Sequence, residues 1–436
     1  MSRLLRYLYT FFFSIALLFA LVKMALRHIN DHDGHRKAGP RRRFFERFGL
    51  LGGSPPKNGV IFHMVSVGET IAALRLLEQF ISAHPDTPVT VTCTTATASR
   101  LISQRLGERV HHCYLPFDLP IFVWLFLKRL QPRALIILET ELWPNLSYAC
   151  AKRNVALLLL NARLSDKSFK GYRKVRPLTA ATINHFSAIC CQGEQDARHF
   201  LDLGLAKEKC HNIGNLKFDI SPSDDLAEKA QTLHQSRLQN RPTWVAASTH
   251  PGEEEIVIAS HQQLLKTHPD LVLVLVPRHP QRSTEVAQLL KSAELGYIKH
   301  SDNRSMQADE QVYIVDTIGE LMTFYALSQV CFVAGSLVPH GGHNPLEPAM
   351  LHKAIISGKH VHNFTKIYTD LEQSQAVIMI DNTPEALSHS VAQLLDDTKQ
   401  SKALGDNAAH YLQSHQGAIA ASLEKIEIAL AISELH

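Results

Sequence analysis

VIFHMVSVGETIAALRLLEQFISAH, residues 60–84, decides the fold. Residues 60–65 form a short apolar, β-branched run of buried-strand length, and the polar turn Ser66-Val67-Gly68-Glu69-Thr70 follows. From 71 to 84 the apolar residues recur at helix spacing. A strand feeding a helix through so short a turn is the repeating unit of a parallel sheet with crossover helices.

Outward from that stretch the alternation continues. Strands are expected at 89–93, 110–114, 134–138, 155–160 and 188–192, several of them apolar throughout. That pattern suits a parallel sheet covered by helices on both faces. Residues 221–242 are polar and carry no strand pattern, and the alternation restarts at 243–247, 271–276, 312–315, 330–334, 354–357 and 376–380. The reading is α/β with two doubly wound domains, 55–205 and 243–412, joined through 206–242 and closed by a helix at 413–436. Ligands of open α/β sheets bind beyond the carboxyl ends of the strands. The site is therefore expected in a cleft, on loops from both halves.

A chain of 436 residues suits two cores rather than one. Its charge, 45 basic against 41 acidic side chains, nets +4 and excludes a nucleic-acid binder by bulk electrostatics. The seven cysteines form no CxxC pair, so neither a zinc ribbon nor a redox motif is indicated, and buried reduced thiols are expected.

Residues 7–26 are apolar except for Thr10, Ser14 and Lys23. Twenty helical residues cover about 30 Å, the thickness of bilayer hydrocarbon. Residues 1–27 read as a membrane anchor and 28–54 as a basic juxtamembrane segment. Lys23, Arg27, Arg36, Lys37, Arg41, Arg42, Arg43 and Arg47 place the larger basic cluster after the helix, which keeps the body cytoplasmic and sets these residues against anionic headgroups. Whether the helix spans the bilayer or lies in the interface stays open.

The loops after the strands carry the chemistry. Glu69 is either an ordinary first-turn acid stabilised by the helix dipole or a general base, with Gly68 permitting the tight turn beside Ser66. Glu139-Thr140-Glu141-Leu142-Trp143-Pro144-Asn145 closes the fourth strand, and its two carboxylates either bind something or hold the loop. Arg163 suits an acceptor phosphate or one of those glutamates. In the second half, Ser248 and Thr249 open a helix in a manner suited to phosphate, and Arg278 and His279 end the next strand. Gly335 and Ser336 lead towards Gly341, Gly342, Asn344 and Glu347, where paired glycines suit close backbone approach and Glu347 suits ribose hydroxyls. Together they form a nucleotide-phosphate site without a Walker loop or GxGxxG.

SVGE at 66–69, ETELWPN at 139–145, NARLS at 161–165, GNLKFD at 214–219, STHPGEE at 248–254, PRHP at 277–280 and GGHNPLE at 341–347 closely resemble the 3-deoxy-D-manno-octulosonic acid (Kdo) transferases of lipopolysaccharide assembly. These motifs lie in register from about residue 40 to 415. The resemblance implies a GT-B glycosyltransferase fold of two Rossmann-like domains, inversion at the anomeric carbon, no metal or cofactor requirement, and residence on the cytoplasmic face of the inner membrane. It implies a CMP-Kdo donor, a lipid A precursor as acceptor, and Glu69 as general base. It further assigns CMP to Ser248, Thr249, Arg278, Gly335, Ser336, Gly341, Gly342, Asn344 and Glu347, and puts Lys217 at the cleft unless it pairs with Asp219. Ser66, Gly68, Glu139, Glu141, Asn145 and Arg163 are left to the acceptor or to loop support.

Rival readings come from His28, Asp31, His32, Asp33 and His35, which contain the HxxxxD spacing of membrane acyltransferases and resemble a metal cluster. No rigid element fixes their geometry. A UDP-sugar GT-B enzyme is the nearer alternative, and a nucleotide-binding scaffold without catalysis is the further one.

Overall fold

A computed structural model describes the backbone of residues 2–30 and 43–434 and the side chains of 3–22 and 43–432. Two compact units emerge, one of residues 1–219 with 416–436, the other of 220–415.

In the first unit β1 (Val60–His63), β2 (Val89–Cys93), β3 (His111–Tyr114), β4 (Ala134–Leu138), β5 (Ala156–Ala162), β6 (Ala188–Cys191) and β7 (Cys210–Asn212) form one parallel sheet in the order β3-β2-β1-β4-β5-β6-β7. Successive side chains of β1 point to opposite faces, and both faces are packed. Val60 and Phe62 enter one core and Ile61 the other. Helix starts are written into the sequence: Ser66, Thr95 and Ser165 each accept the backbone N–H three residues on, which contributes about 1 kcal/mol apiece.

The second unit repeats the plan with β8 (Thr243–Thr249), β9 (Val272–Pro277), β10 (Gly296–Lys299), β11 (Glu310–Ile314), β12 (Val330–Val333), β13 (Ala354–Gly358) and β14 (Ile378–Ile380), ordered β10-β11-β9-β8-β12-β13-β14 and again parallel. Trp244 and Ala246 of β8 pack on one side, Val245 and Ala247 on the other.

Twelve strands lie where the sequence pattern puts them; β7 and β10 do not. Both are short edge strands, CHN and GYIK, with too little burial to leave an apolar run. The expected joining segment 206–242 is divided: β7 belongs to the first sheet, and the helix Leu226–Ser236 belongs to the second unit. The last helix, Ala418–Glu434, returns to the first unit, where Ala418, Ile419, Ile426, Ala429 and Leu430 complete a core. Asp219 fixes that return by accepting the backbone N–H of Gly417, at 2.6 Å, and of Ile419.

The N-terminal helix runs Ser2–Asn30, and its Arg3–Val22 part is long and apolar enough to cross a membrane. Of the acyltransferase-like and metal-like segment, the side chain of His28 and all of Asp31, His32, Asp33 and His35 lie outside the described residues. Among the described residues no cluster of His, Cys, Asp or Glu has metal-binding geometry. All seven cysteines are free thiols.

Candidate functional site

Each sheet has one point where the strand order reverses, between β1 and β4 in the first unit and between β8 and β12 in the second. At such a point neighbouring crossovers run to opposite faces of the sheet and leave a crevice beyond the strand ends. The loops after β1 and β4 carry Glu69, Glu139 and Glu141. Those after β8 and β12 carry Ser248 to Glu254 and Gly335 to Glu347.

Glu69 is half-buried in the first turn of the helix Val67–Ala83. Its carboxylate accepts the Val65 N–H at 2.7 Å and the Ser66 hydroxyl at 2.9 Å, while Ser66 Oγ accepts the Glu69 N–H at 3.3 Å. Ser66 thus supports Glu69 directly. Burial raises the Glu69 pKa above the ordinary carboxylate value, those hydrogen bonds oppose the rise, and the neighbouring Glu139 charge adds to it. Glu141 is pushed up to about 7, by burial first and then by the Glu69 charge. Three carboxylates therefore meet at one switch point. Repulsion between Glu69 and Glu141 favours one shared proton, so these two titrate as a pair rather than as independent acids. Tyr172, whose own pKa burial and the Glu141 charge raise, sits beside them. Glu139 holds a left-handed backbone at φ 59°, and its N–H donates to Leu160 at 2.9 Å. That bend turns the chain off the strand end.

Two expectations for this unit change. Gly68 does not make the turn: it sits inside the helix without positive φ, and a Cβ there would meet only Ser66 Oγ at 3.8 Å. Its effect is to leave the ground before Glu69 open. Arg43 and Arg47, expected against anionic headgroups, are engaged by the protein. Arg43 pairs with Glu46 at 3.0 Å and donates to Ser99 and to the His112 carbonyl; Arg47 donates to the Thr94 carbonyl at 2.5 Å and lies over Tyr114. Arg163 is exposed just beyond β5. Asn145 is buried in loop support, taken up by Asp118, Thr10 and Arg6. Lys217, grouped with the donor residues, lies in the first unit, and Asp219 caps the last helix instead of being reserved for it.

In the second unit the decisive residue is one the sequence reading passed over. Glu253, fully buried, accepts four backbone N–H groups: His250 at 3.0 Å, Gly335 at 2.8 Å, Ser336 at 2.9 Å and Leu337 at 2.9 Å. The amides after β12, expected to cradle a phosphate, already hold an internal carboxylate. Ser336 Oγ is likewise engaged, donating to Val333 and accepting from Gly358, both at 2.8 Å. Thr249 donates to Glu254 at 3.0 Å, and Glu254 pairs with Arg282 at 2.5 Å. Ser248 sits at a bulge of β8 with φ 61°. The glycine pair also serves the protein. A Cβ on Gly341 would lie 2.4 Å from the Asn363 amide, and one on Gly342 3.2 Å from Val361, so loop packs on loop there. The only hint in the sequence was the run of three glutamates at 253–255, which reads as a helix start.

What remains turned outward is a ring of basic and aromatic groups. His250 Nε2 and His343 Nε2 lie 2.9 Å apart and share one proton; the His250 ring stacks on His340 at 4.0 Å, and His279 stands at 6.3 Å. Burial, helped by neighbouring cations including Arg278, lowers both His250 and His343 to about 4, so the pair is neutral at pH 7. Arg278 and His279 are exposed. The Arg278 charge also acts on Glu347, whose pKa burial raises while the Asn344 side chain and Arg278 pull it down. Glu347 lines a cavity of about 470 Å³ with Ile220, Ser223, Gly319, Met322 and Thr323. Such a combination (one fixed cation, one carboxylate able to accept hydroxyls, one adjoining cavity) suits a nucleotide more than a bare sugar.

Comparison with known proteins fits this geometry. Residues 240–411 match the family model of group 1 glycosyl transferases. A glycosyltransferase from Rickettsia africae shares the fold over 86% of this chain and 99% of that one, with TM-score 0.55 and 14% identity. The fold is GT-B, two Rossmann-like units with an N-terminal apolar helix, and the protein is a glycosyltransferase. Residues 42–220 match the model of the 3-deoxy-D-manno-octulosonic-acid transferases (kdotransferases), and the Haemophilus influenzae protein of that name is 39% identical over 389 residues, 89% of this chain and 91% of that one. The chain belongs to the Kdo transferase family. The C-terminal CMP-Kdo binding domain of WaaA from Acinetobacter baumannii is 35% identical, covering 43% of this chain and 97% of that domain, with TM-score 0.41.

Proposed function

We propose that the protein transfers Kdo from CMP-Kdo to a hydroxyl of a lipid A precursor, with inversion at the anomeric carbon and with Glu69 as general base. The observation that carries this reading is Glu69 itself. It stands at the switch point of the first sheet, its carboxyl raised in pKa by burial, before ground that Gly68 leaves open.

The acceptor hydroxyl oxygen bonds to the anomeric carbon as the bond from that carbon to the CMP phosphate breaks. The electron pair leaves with the phosphate, and the hydroxyl proton passes to the Glu69 carboxylate. Glu141, held near pH 7, carries the proton that repulsion denies to Glu69, and so keeps Glu69 ionised and basic. Arg278 stabilises the charge gathering on the departing phosphate, and Glu347 with Asn344 receives the ribose. Family membership supports the donor, and the cavity lined by Glu347, with the Arg278 charge acting on that carboxyl, supports its nucleotide end.

The acyl chains of the acceptor stay in the bilayer, so the apolar helix Arg3–Val22 serves as anchor at the cytoplasmic face of the inner membrane. Exposed Phe45, Leu50, Ile121 and Trp124 give the same unit further apolar contact with the interface, and Lys128 lies over the Trp124 ring at 4.6 Å.

Incubating the purified full-length enzyme with CMP-Kdo and tetraacylated lipid A precursor, then weighing the product, tests the reading. A mass gain of one or more Kdo units supports it; CMP binding without any transferred sugar overturns it. Glu69→Gln should lower kcat by ~10²–10⁴-fold while CMP affinity stays unchanged. Undiminished turnover by that variant removes Glu69 from its role.

A further inference from the structure

The N-terminal helix reads from sequence as a uniform apolar tether. Its structure is two-sided. Residues 5, 6, 9, 10, 13, 14, 17 and 21 are partly buried and the residues between them exposed, the spacing of one helical face laid on the body. Helix Arg176–Ile183 and helix Pro144–Lys152 receive that face. Arg6, Thr10 and Ser14 lie on it, while Arg3 is exposed.

Arg6 donates to Asn145 Oδ1 at 3.1 Å and lies over the Tyr148 ring at 3.8 Å. Thr10 Oγ1 accepts from Asn145 Nδ2 at 3.0 Å, and its single proton has the Arg6 carbonyl at 2.8 Å and Asn145 Oδ1 at 3.2 Å within reach. One turn further, Phe13 meets Trp143 edge-on at 6.4 Å. Beneath them Asp118, almost fully buried, accepts the N–H groups of Asn145 and Leu146 at 3.0 and 2.7 Å and is bonded by Tyr9. Trp143 closes the loop that begins with Glu139 and Glu141, and Asn145 stands in the first turn of the helix Pro144–Lys152 that follows it. A helix held only for its hydrophobicity needs none of these contacts.

We infer that the N-terminal helix is a working part of the glycosyltransferase unit, with Arg6 and Thr10 acting through Asn145 as positioning residues for the loop that sets Glu139 and Glu141 beside Glu69. The inference rests on the proposed role of Glu69. It goes beyond anchoring, because it ties the seating of the helix to the geometry of the carboxylate set. Asn145 is the junction: its side chain takes the helix, and its backbone N–H is clamped by Asp118. A displaced helix would free the loop at the end nearest Trp143, whose side chain acts on the Glu141 carboxyl, and let Glu141 move away from Glu69 and Tyr172, the titratable groups that face it.

The test uses full-length enzyme in phosphatidylethanolamine–phosphatidylglycerol vesicles, with CMP-Kdo and tetraacylated lipid A precursor. Thr10→Val keeps the helix apolar and removes the hydroxyl; Arg6→Met removes the guanidinium; Phe12→Leu, on the exposed face, is the control. Expected for Thr10→Val is a fall in kcat on the order of tenfold, less than the ~10²-fold cost of an ångström misplacement, with the donor KM and vesicle co-sedimentation unchanged. The apparent pKa of the acid limb of kcat should move down towards the ordinary carboxylate range, because a loosened loop hydrates Glu141. Adding Thr10→Val to Asn145→Ala should cost nothing further, since both act through one contact. Wild-type kcat in both Thr10→Val and Arg6→Met, or a loss of kcat that only tracks enzyme lost from the vesicles, overturns the inference. Full turnover by Glu69→Gln would sink the base assignment instead, leaving the Thr10 and Arg6 results readable on their own.

Discussion

The carboxylate of Glu253 and the backbone N–H of Gly335, 82 positions apart in the chain, meet at 2.8 Å, and Ser336 and Leu337 complete the grip. An acid that begins one helix thus fastens the loop after β12 to the loop after β8, and so sets the floor on which Arg278, His343 and Glu347 are displayed. Glu253→Gln leaves one oxygen where four N–H donors converge and turns an NH₂ group towards some of them. Chemical denaturation should report a loss on the order of 3 kcal/mol, with CMP affinity falling alongside.

Gly335 is needed at that floor for two reasons that act together. Its φ is +71°, and a Cβ would stand 2.8 Å from the His343 ring. Gly335→Ala should therefore destabilise the second unit by about 2–4 kcal/mol. Thermal unfolding followed by circular dichroism checks this, and a melting temperature within a degree of wild type would mean the ring moves aside freely.

Glu141 gives stability a pH dependence of definite sign. Its pKa is about 7 in the fold against an ordinary 4.5, so folding favours the protonated acid. The stabilisation it allows is complete below about pH 4.5 and is lost as pH rises through 7. Glu141→Gln should match wild type near pH 4.5 and exceed it at pH 8, by on the order of 3 kcal/mol. Urea midpoints at the two pH values measure the difference, and equal gains at both would contradict it.

His343 works in the opposite direction. Its pKa is about 4 in the fold against an ordinary 6.5, so the neutral ring is favoured, and that contribution is complete above pH 6.5 and lost as pH falls through 4. His343→Gln should lose less stability than wild type between pH 7 and pH 4.5, whatever its absolute stability. Parallel slopes would show that His343 does not sense the cluster around it.

The strands of both sheets were legible because residues buried on two faces must be apolar throughout, a constraint strong enough to survive without neighbours to compare. Strands β7 and β10 escaped because each is short and mostly only partly buried, so CHN and GYIK leave no apolar run to read. Glu69 and Glu141 were recognisable as acids placed where a strand ends. Glu253 was not, because three of its four partners are backbone amides more than eighty residues away, and no feature of the sequence around it distinguishes it from Glu254 or Glu255. The same holds for the N-terminal helix. In a segment that is apolar all round, the docked face appears only as the burial rhythm of residues 6, 10, 13 and 17.

Because Asp219 grips Gly417 and Ile419, the polypeptide leaves the first unit and re-enters it at a single knot. Residues 220–415 are thereby a cassette with its two ends tied side by side. A foreign cassette of matching end spacing could be spliced in there without disturbing a strand of the first sheet, so one unit can stay as it is while the other diversifies.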